Sequence, residues 1–360
     1  DRPLDKVGPD HHPVERHADL LARTGSRAEA ISLLRSDANS VNPALTVAAS
    51  RLERGEGAAS SALTPSRAAA IGLYGLAALF QQENDTTSAL EALTLSLILD
   101  PQADASRLLF AQAQSDQDHD AIAARILADV SDASPYGPSA RIMEAWITFD
   151  DGRQEDAIQR VGALAQTGDL RARRALADMY RGMERHEQSE SIYSELIVEQ
   201  PDQWRLYFAR GVARERLQRW PEAEADFLRA LELSPEQPDV MNYLAYSWVE
   251  RGEHFDRAMA MLQRAVALRP SSGAIIDSLG WAHYQQGAFG EALLYLERAV
   301  ELEPADATLN DHLGDVYWRL GRRIEARFQW QRALGAEPAN AEAIRHKIEN
   351  GLPPLSPTQS

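Results

Sequence analysis

Cysteine is absent from the 360 residues, and lysine occurs only at Lys6 and Lys347. The first absence excludes disulfides, thiol nucleophiles, cysteine-ligated zinc and iron–sulfur clusters. Basic charge is also in deficit. There are 37 basic against 54 acidic residues, a formal net charge of −17. Binding to a phosphate backbone is dominated by neutralising Lys and Arg, and so is docking on anionic lipid. Neither nucleic acid nor a lipid surface is therefore expected as a partner. No long hydrophobic run occurs. The longest uncharged stretch, Ala68 to Gln82, contains Gly72 and Gly75. It falls short of the about 20 apolar residues that span a bilayer and reads as a packed helix.

Signatures of chemistry are equally scarce. No Walker loop, G-x-G-x-x-G or G-x-S-x-G motif is present. Gly55-Glu-Gly-Ala-Ala-Ser60 is half a dinucleotide motif with no strand before it. His186-Glu187 is followed by Glu190, not by the second histidine of a metalloprotease helix. His11, His12 and His17 cluster near the start of the chain, where a solvated tail is the simpler reading than a metal site. No enzymatic activity, cofactor or metal is expected. Hydrophobic residues make up 44% and charged residues 25%, the composition of a well-packed protein.

What is present is a period. Prolines stand at positions 101, 135, 201, 235, 270, 304 and 338, in steps of 34 or 35 with one of 66. Ala223, Ala258, Ala292 and Ala326 keep the same beat, as do Ala230, Ala265, Ala299 and Ala333, and Gly211, Ala245, Gly280 and Gly314. Upstream, Ala77, Ala111, Ala145 and Ala177 continue it more weakly, alongside Ala89, Ala123 and Ala157. Leu313, Gly314, Tyr317, Gly321, Ala326, Trp330, Ala333 and Pro338 in one repeat resemble the tetratricopeptide repeat (TPR) column of Leu-Gly-x-x-Tyr, Ala, an aromatic, Ala and Pro. Units from Gly273, Pro238 and Trp204 match it in turn, the Pro238 unit with one extra residue near Glu253–Phe255. Earlier units begin near Leu170, Pro138, Asp104 and Ala70, and two degenerate ones lie within Leu20–Asn42 and Pro43–Thr64.

Each unit predicts two helices with a glycine such as Gly287 between them and a proline such as Pro304 after the second. Leu279, Gly280 and His283 share one stripe of a first helix; Ala292, Leu296 and Ala299 share one of a second. No unit buries its stripe alone, so neighbours must stack. The expected fold is all-α: a right-handed α-solenoid of about nine or ten helix-turn-helix repeats. The expected organisation is a flexible tail over 1–16 and repeats over 17–338, degenerate to 169 and well matched from 170. A capping helix at 339–350 then carries Ile344 and Ile348, and a disordered tail follows at 351–360.

In TPR proteins the first helices line a concave groove, which the resemblance places beside the Leu279 stripe. The columns running along it are Phe208, Asn242, Asp277 and Asp311; then Val212, Tyr246, Trp281 and Asp315; then Glu215, Val249, Tyr284 and Trp318, with Arg319 alongside. Phe208, Asn242, Tyr246, Asp277, Trp281, Tyr284, Asp311, Asp315, Trp318 and Arg319 are thus the candidate protein-binding residues. Aromatics among polar neighbours have the character of peptide hot spots. The competing reading packs Trp281 and Trp318 between adjacent first helices. Chaperone-binding members hold a C-terminal carboxylate with a Lys/Asn/Arg clamp, whereas these columns hold aspartates. An exposed Asp277, Asp311 and Asp315 would favour an apolar or basic partner segment. Arg171, Arg173 and Arg174 form the one dense basic cluster, and pairing with nearby acids is its expected fate.

Asn242-Tyr-Leu-Ala-Tyr246, Ile276-Asp-Ser-Leu-Gly-Trp281 and His312-Leu-Gly-Asp-Val-Tyr-Trp318 further resemble the C-terminal repeats of bacterial envelope TPR proteins, among them lipoprotein adaptors of C-terminal-processing proteases. That resemblance covers about residues 238–335. It implies a non-enzymatic adaptor in the periplasm or on the inner face of the outer membrane, with such a protease and its substrates as partners. The alternatives are a scaffold that holds folded subunits or self-associates, and a cytoplasmic location.

Overall fold

A computed structural model describes residues 12–36, 43–56 and 64–354. Their regular structure is entirely helical. Contacts divide the chain into two compact units within the eleventh helix, the first ending at Leu196 and the second beginning at Ile197. The first unit holds α1 (His12–Arg23), α2 (Arg27–Leu34), α3 (Pro43–Glu53), α4 (Pro65–Gln82), α5 (Thr86–Leu99) and α6 (Asp104–Ser115). It continues through α7 (Asp120–Ala128), α8 (Gly137–Asp150), α9 (Gln154–Ala165), α10 (Leu170–Gly182) and most of α11 (His186–Glu199). The second unit holds α12 (Trp204–Arg216), α13 (Trp220–Leu233), α14 (Pro238–Arg251), α15 (Phe255–Leu268) and α16 (Gly273–Gln285). It ends with α17 (Phe289–Leu302), α18 (Ala307–Arg319), α19 (Arg323–Gly335) and α20 (Ala341–Asn350). The first helix therefore begins at His12, inside the stretch expected to be a tail. Residues 1–11 and 355–360 lie outside the described part.

Helix ends follow local chemistry. Thr64, Asp85, Asp169, Ser272 and Asp306 cap α4, α5, α10, α16 and α18 by accepting from backbone N–H groups of the first turn. Between the two helices of each pair from α4–α5 to α18–α19 one residue is left-handed: Asn84, Asp118, Gly152, Glu184, Gln218, Gly252, Gly287 and Gly321. This column has the repeat period. The extra residue of the Pro238 unit is absorbed by a second left-handed residue, His254, at φ 47°.

Within each pair, small residues let the helices close up. A Cβ at Gly211 would meet Phe227 at 2.6 Å, one at Gly280 would meet Leu296 at 2.8 Å, and one at Gly314 would meet Trp330 at 2.5 Å. The alanines of the periodic columns are buried. Two buried aspartates are paired. In the first unit the Tyr193 hydroxyl donates to Asp178, which also takes Arg181. In the second, Asp226 accepts from Arg210 at 2.7 Å and Arg214 at 2.9 Å. Helix α20 covers the last pair with Ile344 fully buried, and Ile348 and Leu352 beside it.

Candidate functional site

The face formed by α14, α16 and α18 brings most of the candidate residues together, by a rule the repeat itself imposes. The polar contacts between these first helices, or from them to α20, link residues of adjacent repeats, 31 to 36 positions apart. Trp281 Nε1 donates to Glu250 at 2.6 Å, His312 Nδ1 to Asp277 at 2.8 Å, Arg319 Nε to the Tyr284 hydroxyl at 3.1 Å, and Lys347 Nζ to Asp311 at 2.8 Å. Trp281 is half-buried, stacked between Tyr284 at 4.5 Å and His312 at 4.0 Å. The packing of Trp281 against the adjacent first helices is therefore realised, while Tyr246, Trp281 and Tyr284 each keep part of their surface accessible.

The aspartates are not where the groove reading put them. Asp277, Asp311 and Asp315 are 4%, 6% and 5% exposed. They lie in the seam between first helices and under α20, not on an open surface. Lys347 Nζ also reaches Asp315 at 2.9 Å, and Trp330 Nε1 donates to the same carboxylate at 2.9 Å. The carboxylates are thus matched by a histidine, a lysine and an indole, and they no longer select a basic ligand.

Their environment shifts the titrating groups. Burial opposes the charge on His312, yet Asp277, with Asp315 and Asp311 behind it, overcomes this and raises the imidazole. Burial likewise opposes the Lys347 ammonium, and the Asp315 and Asp311 charges raise it. Burial lifts the Asp315 carboxyl above the usual range, against the pull of Lys347. It also pushes up the Tyr246 and Tyr284 hydroxyls, with Arg319 restraining the latter.

The remaining candidates divide. Phe208 is half-buried and packs on the apolar cluster, edge-on to Tyr243 at 5.9 Å. Asn242 is half-buried, and its buried Oδ1 has no hydrogen-bond partner among the described residues. Trp318 packs tilted on Trp330 at 5.4 Å, with the Arg323 guanidinium 3.7 Å from its ring centre. Gly351 crosses Trp318 so closely that a Cβ there would lie 1.6 Å from the ring. The chain then runs on to Pro353, whose carbonyl accepts from Arg319 Nη1 at 2.6 Å. An unbroken row results: Glu250, Trp281, Tyr284, Arg319, Pro353.

Lys347 and His312 were the residues that sequence reasoning passed over. Lys347 is the one lysine beyond the first helix and stands 36 residues after Asp311, about one repeat on. That spacing was the available signal. The arginine cluster pairs as expected, Arg171 with Asp169 at 2.9 Å and Arg173 with Glu195 at 3.0 Å. Among the described residues no group of three metal-ligating side chains converges, and no helix is long and apolar enough to cross a membrane.

Models of the tetratricopeptide repeat match residues 174–238 and 280–321, so the chain carries such repeats there. A TPR repeat-containing protein of Pseudomonas aeruginosa is 26% identical over 156 residues, 42% of this chain. The match spans 26% of that relative's length. Among solved structures, a tetratricopeptide repeat protein of Parabacteroides merdae aligns at TM-score 0.50 and 17% identity, over 78% of this chain and 98% of its own. The human IFIT1 dimer with PPP-AAAA aligns at 0.53 and 18% identity, over 78% and 72%. The APC/C hetero-tetramer Cut9–Hcn1 aligns at 0.52 and 16% identity, over 94% and 76%. These likenesses establish an all-α TPR solenoid fold.

Proposed function

We propose that the protein is a non-catalytic adaptor that captures an extended segment of a partner protein along Tyr246, Trp281, Tyr284 and Arg319. One observation supports this reading above the others. The chain's own segment after α20 already lies at the end of that row, Gly351 against Trp318 and the Pro353 carbonyl accepting from Arg319. Aromatic rings supply contact area at little entropic cost, and a guanidinium supplies a fixed donor for a carbonyl. The favoured segment is apolar and extended. The preference for basic segments loses its premise with the burial of the three aspartates, and only Glu250 carries it on this row.

The finer role is proposed on the resemblance of residues 238–335: delivery of captured substrates to a C-terminal-processing protease, in the periplasm or at the inner face of the outer membrane. The test places a photo-crosslinking amino acid at Gln285, beside the row, or at Glu184, in the first unit, in cells of the native host. Adducts are read by mass spectrometry. A partner segment labelled from Gln285 and not from Glu184 is the expected result; equal labelling from both removes the site. Calorimetry with that segment should then show Tyr284→Ala costing about 2 kcal/mol. Adducts containing no protease and no protease substrate would leave the adaptor and discard the delivery role.

A further inference from the structure

Two patches of large apolar side chains stay in solvent on second helices, and they differ in charge. On α19, Ile324 is 83% and Phe328 56% exposed, one turn apart on one stripe. The repeat register shows how far this departs from its neighbours. The column ending in Phe328 reads Ala225, Ala260, Leu294, Phe328; the column ending in Ile324 reads Pro221, Asp256, Gly290, Ile324. Where the earlier pairs carry Trp220, Phe255 and Phe289, at least partly buried, α19 carries Arg323. The first turn of α19 has exchanged its inward aromatic for an arginine and its outward small residue for isoleucine.

Arginine flanks this stripe on both sides. Arg229, Arg264, Arg298 and Arg332 form one column, and the first three each meet a carboxylate, of Glu232, Glu236 and Glu301. Arg332 meets only the Pro304 carbonyl, because Gly335 stands where Glu301 stands one repeat earlier. On the other side Arg327 meets the Ile348 carbonyl. Arg327 and Arg332 thus flank the stripe on carbonyls, with no carboxylate against either among the described residues.

On α5 the sign is reversed. Leu95 and Ile98 are 52% and 68% exposed, and they continue the outward stripe begun by exposed Glu91, at i, i+4 and i+7. Glu91 is the one charged residue of α5; one repeat on, exposed Asp129 stands in the Leu95 column and exposed Arg125 in the Glu91 column. Single exposed apolar residues are ordinary. Two apolar stripes, one beside arginines that meet carbonyls and one beside the exposed Glu91 carboxylate, are complementary.

We propose that the α19 face of one molecule receives the α5 face of a second copy, with Ile324 and Phe328 against Leu95 and Ile98, and Arg327 and Arg332 toward Glu91. Charge sets this pairing and disfavours either face meeting itself. The contact joins two different surfaces, so each bound pair retains one free face of each kind and assembly continues past the dimer or closes as a ring. Both patches are small, so the association is weak and salt-sensitive. A net charge of −17 argues against anionic lipid as the occupant of the α19 face. This inference does not depend on the Tyr284 row.

Sedimentation equilibrium of the full chain tests it, together with two variants at exposed positions: Ile324→Ser with Phe328→Ser, and Leu95→Ser with Ile98→Ser. The wild type should grow with concentration beyond twice its 39.8 kDa mass and grow less at high salt. Each variant alone should stay monomeric with an unchanged melting temperature. An equal mixture of the two should form a one-to-one dimer and nothing larger, because it holds one intact face of each kind. A wild type that stays monomeric, a variant that assembles like wild type, or variants that fail to pair with each other would overturn the proposal. So would flotation with phosphatidylglycerol vesicles that needs Ile324 and Phe328 in a protein that remains monomeric, which would assign the face to lipid.

Discussion

Lys347 ties the capping helix to two buried carboxylates of α18. Its ammonium is the cation within bonding distance of Asp311 and Asp315. Lys347→Met should leave two buried carboxylates facing each other and cost about 3–5 kcal/mol, the range for breaking one side of a buried pair. Six of the seven tryptophans lie in the second unit, so urea unfolding followed by tryptophan fluorescence reads this loss there. Asp277→Arg and Asp311→Arg belong to the same class: each buries a cation beside His312 or Lys347 and should unfold this unit rather than only weaken a ligand. His312 adds a pH dependence. Its pKa is raised in the fold, so its stabilisation is fully present below the unfolded value of about 6.5 and is lost as pH rises through the folded value. The stability gap between wild type and His312→Gln should be wide at acidic pH and narrow under alkaline conditions. A gap that widens with pH would contradict the ion pair with Asp277.

At the scale of the helix pair, two columns decide whether the pair closes. The left-handed turn position is glycine in Gly152, Gly252, Gly287 and Gly321 but not in Glu184 or Gln218, at φ 58° and 59°. A side chain in that region is disfavoured by about 1–2 kcal/mol, part of which the looser unfolded glycine gives back. Gln218→Gly should therefore raise stability by about 1 kcal/mol, and Gly321→Ala should lower it by a similar amount; chemical denaturation decides both. The small-residue column is stricter. Ala292 and Ala326 are fully buried against the preceding helix, and leucine at either should cost about 1–3 kcal/mol through overpacking. An unchanged melting temperature would undo the packing register.

At the scale of the molecule, stability passes between nearest neighbours, as in stacked repeats generally. Deleting everything after Pro338 removes Ile344 from the last apolar cluster and Lys347 from its carboxylates at once. Hydrogen exchange should then show α18 and α19 losing protection first, with α6 to α9 unchanged. Loss spread evenly over both units would mean that the chain melts as one cooperative body instead.

The sequence by itself determined the repeat, its period and the places where helices begin. Leu170, Trp204, Pro238, Gly273 and Ala307 open helices where the columns put them, and the helix-ending prolines fall just beyond α5, α13, α15 and α17. Those features are local: a proline, a cap or a left-handed residue acts on the backbone within a few positions. The small-residue columns were legible for the same reason, since a period of 34 repeats one packing problem. Only the tertiary structure decided the fate of Asp277, Asp311 and Asp315. A helical stripe says which residues share a face, but not whether that face is open or covered by another helix. The cover came from Lys347 and His312, each about one full repeat away in the chain. Burial and pairing with residues so distant turned three apparent ligand selectors into part of the core, and left Tyr246, Trp281, Tyr284 and Arg319 as the row proposed for recognition.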